Sequence, residues 1–352
     1  MNKNEKSPLI NRRDFIKLSA VAAVGGQSLL TAARSEAKSA AKTDAVIHRH
    51  EKPPMTYRQL GRTNFMSSRL VFGGGAALAG GKGVRLLDRA FEAGINHFDV
   101  GSNVAYRGAE RRLAPFVKVH RDEIWVASKA PVALRTSQEG AITAKQVRRV
   151  VKYWTKWMDE SLKDLGIEYV DVYYLMGVDN PALTSCEEIY NAFLKAKAAG
   201  KVGHFGLSTH KNAQKVLEAA IETGWYDIAM IGITPAGWYD WEEKDLVEDS
   251  PVLVELQPLL QQAREAGIGL VGMKTVRHLA PMYVLGSDEP EAFNHLYDKT
   301  FMASPLSPFQ RAYAYVLEHG LDVVNADMQN FKHLEENIIA AQTSHTYFKK
   351  KS

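Results

Sequence analysis

The sequence predicts an α/β protein folded as a closed (β/α)8 barrel with a short N-terminal hairpin, and three observations point there. Eight short runs rich in Val, Ile, Leu or Phe alternate with longer amphipathic segments, as expected of parallel strands buried on both faces and covered by helices. The amphipathic segments repeatedly end at a glycine just before the next apolar run, the join of a βα repeat. The first run leads from Gly73-Gly74-Gly75 into Ala76-Ala77-Leu78, without the G-x-G-x-x-G that would favour the runner-up, an open doubly wound sheet.

In chain order, the first element is a targeting segment. Arg12-Arg13, Phe15 and Lys17 precede an apolar stretch from Leu18 to Leu30 and then small residues, the order of a signal peptide. The arginine pair with Phe and Lys at its spacing resembles a twin-arginine motif, and Ser35-Glu36-Ala37 suits a signal peptidase. The expectation is export through the twin-arginine machinery, cleavage near Ala37, and a periplasmic or secreted protein. An uncleaved anchor or a basic amphipathic helix is the alternative. Removing the six basic and three acidic residues of 1–37 lowers the formal charge from +4 to +1, so the mature chain carries no nucleic-acid footprint.

Residues 38–54 read as a linker, with the pair Pro53-Pro54 at its end. Its His48-Arg49-His50 is read as solvated, and no metal is expected. Cys186 is the only cysteine in 352 residues, which excludes an intramolecular disulfide and a Cys-ligated iron–sulfur cluster. Hydrophobic residues make up 45% and charged residues 24%, values that suit a soluble globular domain, here 55–345.

Met55–Arg62 reads as the hairpin plugging the barrel's N-terminal end. The strands follow at Leu70–Gly74, Ile95–Asp99, Ile124–Lys129, Val170–Leu175, Val202–Ser208, Ile228–Ile233, Ile268–Lys274 and Leu321–Asn325. Between them, Val84–Ala93, Ala144–Leu165, Glu187–Ala199, Ala213–Thr223, Leu253–Ala266, Phe309–His319 and Leu334–Ala341 carry helical patterns. The segments Tyr239–Ser250 and Pro281–Pro308 follow strands on the face where barrel enzymes build their sites.

Side chains at the C-terminal ends of strands are therefore the candidates for chemistry. Asp99 and Lys129 end the second and third strands, and Tyr106 lies in the loop after the second. An ammonium beside a phenol lowers the phenol's pKa, and a carboxylate holds that ammonium charged. The tyrosine then acts as general acid to a carbonyl oxygen. A structural Asp99–Lys129 ion pair with an incidental tyrosine fits the spacing equally well.

From about Tyr57 to Ala341 the chain resembles the aldo/keto reductases. The segments that carry the likeness are YRQLGRTNFMSSRLVFGGG (57–75), AFEAGINHFDVGS (90–102), YRGAERRL (106–113), IWVASKAP (124–131), SLKDLGIEYVDVYYL (161–175), AAGKVGHFGLS (198–208) and NFKHLEEN (330–337). The resemblance implies Asp99, Tyr106 and Lys129 as catalytic residues, a small carbonyl substrate, and NADP(H) or NAD(H) lying across the strand ends. It implies that Ser208 meets the nicotinamide amide and that Lys274, Thr275 and Arg277 meet phosphate. The helix beginning near Asn330 would direct amides at an anion, and Glu336 and Asn337 match positions that meet the adenine side, although an ordinary exposed helix pair fits them equally well. Met176 would border the substrate; apart from the resemblance, Trp238, Tyr239 and Trp241 after the sixth strand suit either a wall for a sugar or aromatic ring or a hydrophobic lid with no substrate role.

The chain departs from the family pattern at several of these places. Met176 stands where the family has its catalytic histidine, and a thioether has no proton to donate. Asp99 and Tyr106 are two residues further apart than usual, and Thr209 replaces an asparagine after Ser208. Met230 and Ile233 stand near the places of the amide-binding glutamine and the stacking aromatic, and Asp327 near that of a glycine.

Two functional expectations follow. One is an exported oxidoreductase, loaded with nicotinamide before export and recharged by a redox partner or second substrate. The other is a catalytically degenerate barrel that serves as a binding or partner protein.

Overall fold

The computed structural model describes residues 45–81, 83–134, 138–280 and 289–348, without the side chain of Asp327. The expected signal segment 1–37 and the linker through residue 44 lie outside the described residues.

The strands in chain order are β1 (Tyr57–Gln59), β2 (Met66–Ser68), β3 (Leu70–Gly73), β4 (His97–Asp99), β5 (Trp125–Pro131), β6 (Val170–Met176), β7 (Val202–Thr209), β8 (Ile228–Thr234), β9 (Gly237–Asp240), β10 (Asp245–Leu246), β11 (Gly269–Met273) and β12 (Val323–Asp327). The parallel ring runs β8-β11-β12-β3-β4-β5-β6-β7, and pairing of β7 with β8 closes it. This is the (β/α)8 barrel that the sequence predicts.

One long helix follows each barrel strand. These are α1 (Leu86–Glu92), α2 (Ala109–His120), α3 (Ala144–Leu165), α4 (Glu187–Ala198), α5 (Ala213–Thr223), α6 (Leu253–Glu265), α7 (Pro308–Glu318) and α8 (Phe331–Tyr347). Their ends have local causes. Thr143 and Gln146 form a capping box that starts α3, and Gly166 stops it in the left-handed conformation at φ 68°. The stripe Val147, Val150, Trp154, Met158, Leu162 and Leu165 is buried against the barrel. Ser307 and Gln310 form a second capping box at α7, with Pro308 at its first position.

Strand alternation sends every second residue into the barrel, where Trp125, Ala127, Val172, Tyr174, Met230 and Val271 pack together. The hairpin closes this interior from below. Tyr57 pairs with Ser68 and Gln59 with Met66, so the hairpin extends beyond Met55–Arg62. Leu60 and Phe65 near its tip are fully buried, and Phe65 stacks on Trp125 at 4.5 Å. Burying these two side chains contributes roughly 1.5–3 kcal/mol each. Gly61, at φ +53°, lets the turn press on β11; a methyl there would overlap the Gly269 amide and the Gly267 carbonyl.

The end of the expected linker runs along the same face. The Ile47 amide donates to the Asn64 carbonyl at 2.8 Å. Arg49 reaches the Ile124 carbonyl at 2.7 Å and Asp171 at 3.0 Å.

At the opposite end, β8 turns back into β9, with Ile233 opposite Trp238, and β10 extends that hairpin. The hairpin is tied to neighbouring loops by Lys211–Glu242 at 2.6 Å in its turn and by His278–Asp245 at 3.0 Å at the start of β10.

Candidate active site

β4 and β5 are neighbours in register, with Asp99 opposite Ala127, so the next inward residue of β5, Lys129, comes up beside Asp99. Its ammonium donates to both Asp99 oxygens, at 2.6 and 2.5 Å, and to the Val100 carbonyl at 2.7 Å. Asn325 at the end of β12 donates to Asp99 Oδ2 at 2.6 Å. Lys129 is 1% exposed and Asp99 3%.

Tyr106 joins them through a short helix, Asn103–Tyr106. The Ser102 amide anchors this helix to the Lys129 carbonyl at 2.9 Å. The phenol ring packs on Gly75 and Gly101, where a Cβ would come within 3.2 and 3.0 Å of it. Lys129 hydrogen-bonds the Tyr106 hydroxyl, and its Nζ lies 5.1 Å from the ring centroid. Burial pulls the lysine toward its neutral form, but Asp99 and Tyr106 outweigh burial and raise its pKa above the ordinary value. The arrangement keeps a charged ammonium against a phenol at the floor of an opening.

That opening is a cavity of about 800 Å³, lined at its floor by Asp99, Tyr106, Lys129, Met176, Ser208, Met230 and Asn325. Lys274, Arg277 and Trp241 line one side, and Glu336 and Asn337 another. Met176 is opposite Ser208 in the β6–β7 register.

Other expected residues are elsewhere. Trp238 is 4% exposed in the apolar core, because β9 pairs it with Ile233 and turns both away from the cavity. Thr275 is 1% exposed and Asn330 caps α8 by accepting from the His333 amide at 2.9 Å; neither lines the cavity. The Asp327 side chain lies outside the described residues.

Several lining residues were missed from sequence: Asn325, Arg107, His210, His333 and Gln329. The signal for two of them was alternation: Asn325 follows Val323 on the inward face of β12, and His210 follows Gly206 and Ser208 beyond β7. Burial, with Lys274 assisting, lowers the His210 pKa to about 4, so its imidazole is neutral at pH 7. His97, below Asp99 on the same face of β4, is held down to about 3 by burial and then by Lys129.

The Trp241 indole is surrounded by cations, with Lys244 Nζ at 3.3 Å, Lys274 Nζ at 3.8 Å and the Arg277 guanidinium carbon at 5.5 Å from its centroid. This cluster suits a diphosphate, and the polar pair on α8 suits an adenine edge. With the cavity inside the usual roughly 300–1,000 Å³ of a small-molecule site, the residues present fit a nicotinamide dinucleotide.

Against this geometry, the model of the aldo/keto reductase family matches residues 70–348. The chain belongs to the aldo/keto reductase family. The L-glyceraldehyde 3-phosphate reductase of Escherichia coli (strain K12) is 31% identical over 141 residues, a match that spans 38% of each protein. A probable aldo-keto reductase 1 of Glycine max is 27% identical over 301 residues, covering 80% of this chain and 82% of that protein.

Solved aldo-keto reductases share the fold. One from Bacillus halodurans, in its holo form, has a TM-score of 0.58 at 21% identity and covers 84% of this chain and 97% of its own. A putative aldo-keto reductase from Pseudomonas aeruginosa has a TM-score of 0.57 at 19% identity, covering 85% and 98%.

Proposed function

We propose that this protein is a nicotinamide-dependent reductase of small carbonyl compounds, exported with its cofactor by the twin-arginine pathway. The observation that carries the reading is the Asp99–Lys129–Tyr106 set at the cavity floor, with Asp99 and Lys129 buried, Tyr106 half-buried, and Asp99 braced by Asn325.

When bound, NADP(H) or NAD(H) supplies the hydride. The residues that would hold it are Lys244, Lys274 and Arg277 at the diphosphate, Ser208 at the amide, and Glu336 with Asn337 at the adenine. The Tyr106 hydroxyl gives its proton to the carbonyl oxygen as the carbon is reduced, and the alcohol forms. Lys129 stabilises the phenolate left behind, and Asp99 keeps Lys129 charged through the cycle. The phenolate then regains a proton from solvent, and in the reverse direction the alcohol gives its hydroxyl proton to the same phenolate oxygen as it is oxidised. Met176 contributes no proton, so the carbonyl is polarised by Tyr106 without the second donor that the family uses; losing such a donor typically costs about 10²–10³ in rate.

Export supports one further requirement: a nicotinamide carried out of the cytoplasm stays bound and is recharged by a second substrate or redox partner. Protein purified after native export is expected to show reduced-nicotinamide absorbance or to release a dinucleotide on denaturation. An empty protein that gains no thermal stability from NADPH or NADH defeats the proposal.

The methionines that line the cavity, Met176, Met230 and Met273, favour a second reading, a barrel that binds without turnover. Turnover of a simple aldehyde that disappears in Tyr106→Phe rules that reading out.

A further inference from the structure

The residue directly after Tyr106 holds a conformation with a use. Arg107 closes the Asn103–Tyr106 helix in the left-handed region, at φ 40° and ψ 62°. A side chain other than glycine is strained there, and such strain collects at ligand sites. Gly108 follows at φ 78°, so the chain turns sharply into α2 and leaves the Arg107 side chain at the cavity rim.

Its charge is uncompensated among the described residues. Arg111 pairs with Asp164 at 3.0 Å, and Arg112 donates to the carbonyls of Leu78, Ala79 and Arg107 at 3.1, 3.1 and 2.8 Å. No carboxylate or carbonyl among the described residues takes the Arg107 guanidinium. The side chain is exposed and lines two openings: the cavity that holds Tyr106, and an adjoining hollow bordered by Asn103, Arg111 and Arg112. The nearest carboxylate on the cavity floor, Asp99, is already neutralised by Lys129.

The cavity therefore has two separate positive centres. The cluster around Trp241 comes from β11 and the β9–β10 hairpin. Arg107 comes from the loop after β4, one residue from the proton donor. Arg107 and Tyr106 line the same cavity, so one small molecule can offer its carbonyl to Tyr106 and an anionic group to Arg107.

We infer that the substrate is a short aldehyde or ketone carrying an anionic group, a carboxylate or a phosphate, and that Arg107 is the residue that selects it. The guanidinium fork suits either anion bidentately. The inference rests on the carbonyl-reductase reading above.

The test compares matched pairs: succinic semialdehyde with butyraldehyde, and glyceraldehyde 3-phosphate with glyceraldehyde. The intact protein is expected to prefer the charged member by tenfold or more in kcat/KM, with a KM that rises with ionic strength. The pair with the larger preference distinguishes carboxylate from phosphate. Arg107→Gln is expected to collapse that ratio at least fivefold, and Arg107→Lys to keep part of it. Arg107→Gly, which relieves the left-handed backbone, is expected to keep the melting temperature while losing the preference, separating selection from folding.

Calorimetry with succinate, without cofactor, gives a readout independent of turnover: wild-type protein is expected to bind it at least fivefold tighter than Arg107→Gln. Equal kcat/KM within each pair, a ratio that survives Arg107→Gln, or succinate binding that ignores Arg107 overturns the inference and leaves the reductase standing. Arg107-dependent succinate binding with no turnover of any carbonyl overturns the reductase reading and keeps the anion site.

Discussion

Replacing Lys129 by methionine isolates the central interaction. The side chain is 1% exposed and makes three hydrogen bonds, two to Asp99 and one to Val100, besides its bond to Tyr106. Methionine fills the space but leaves Asp99 buried with Asn325 as its remaining side-chain donor. The carboxylate then has two choices: stay charged without its counter-ion, or take a proton. The second sets a ceiling on the damage. Protonating an aspartate of ordinary pKa at pH 7 spans about three pH units at about 1.4 kcal/mol each, or about 4 kcal/mol.

That ceiling agrees with the roughly 3–5 kcal/mol expected for breaking a buried pair. At pH 5 the same ceiling is about 1.5 kcal/mol. Burial already raises the Asp99 pKa in the wild type, against the opposing pull of Lys129 and Asn325, and loss of the ammonium raises it further, so the variant loses more stability than the wild type as pH rises above the unfolded value. The stability gap between wild type and Lys129→Met therefore widens from pH 5 to pH 7.

Urea unfolding of both proteins at the two pH values measures it. The double variant Asp99→Leu/Lys129→Met, which removes both charges, is expected to recover more than half of the pH 7 loss. A gap under about 1 kcal/mol at pH 7, or one equal at both pH values, refutes the buried ion pair and with it the relay.

Other outcomes follow from the same geometry. Tyr106→Phe is expected to lower kcat/KM by about 10²–10⁴ while NADPH or NADH affinity, read by tryptophan fluorescence, stays within a few-fold. Met176→His is expected to raise turnover of a simple aldehyde by tenfold or more, since Met176 lines the floor beside Ser208; unchanged turnover argues that the missing donor was never limiting. Gly61→Ala combines a left-handed φ with overlap against β11 and is expected to lower stability by about 2–4 kcal/mol, seen as a fall in melting temperature.

His210 has a folded pKa of about 4 against an ordinary 6.5. Its depressed value contributes stability above the unfolded pKa that is lost as pH falls toward 4. His210→Gln should therefore flatten the stability–pH curve between those values, and an unchanged slope removes the neutral buried imidazole from the account.

Legibility in sequence followed the range of the interaction. Helix α3 was read to its terminal residues because its start and stop are local chemistry: the Thr143–Gln146 capping box and the left-handed Gly166. The α5 boundaries were equally plain, ending at Gly224 with φ 66°. Helix α8 starts at Phe331 and runs to Tyr347, beyond the Leu334–Ala341 pattern, because packing along α7 and the barrel supports turns whose own periodicity is weak. Asp99 and Lys129 stood out because strand ends in a barrel point at one mouth.

The aromatic cluster after β8 was not legible in the same way. Trp238 and Trp241 are three residues apart in similar company, yet one is core and the other lines the cavity, because an antiparallel pairing with Ile233 fixes which face each presents.

By itself, then, the amino-acid order determined the repeat of strand and helix, the closed barrel, and the Asp99, Tyr106 and Lys129 candidates, since these depend on periodicity, caps and strand ends. Only the tertiary structure decided that Asn325 braces Asp99, that three cations gather on Trp241, and that Arg107 lines the same cavity as Tyr106 without a partner among the described residues. Those contacts join segments far apart in the chain, and nothing in local sequence records which strands a barrel makes neighbours.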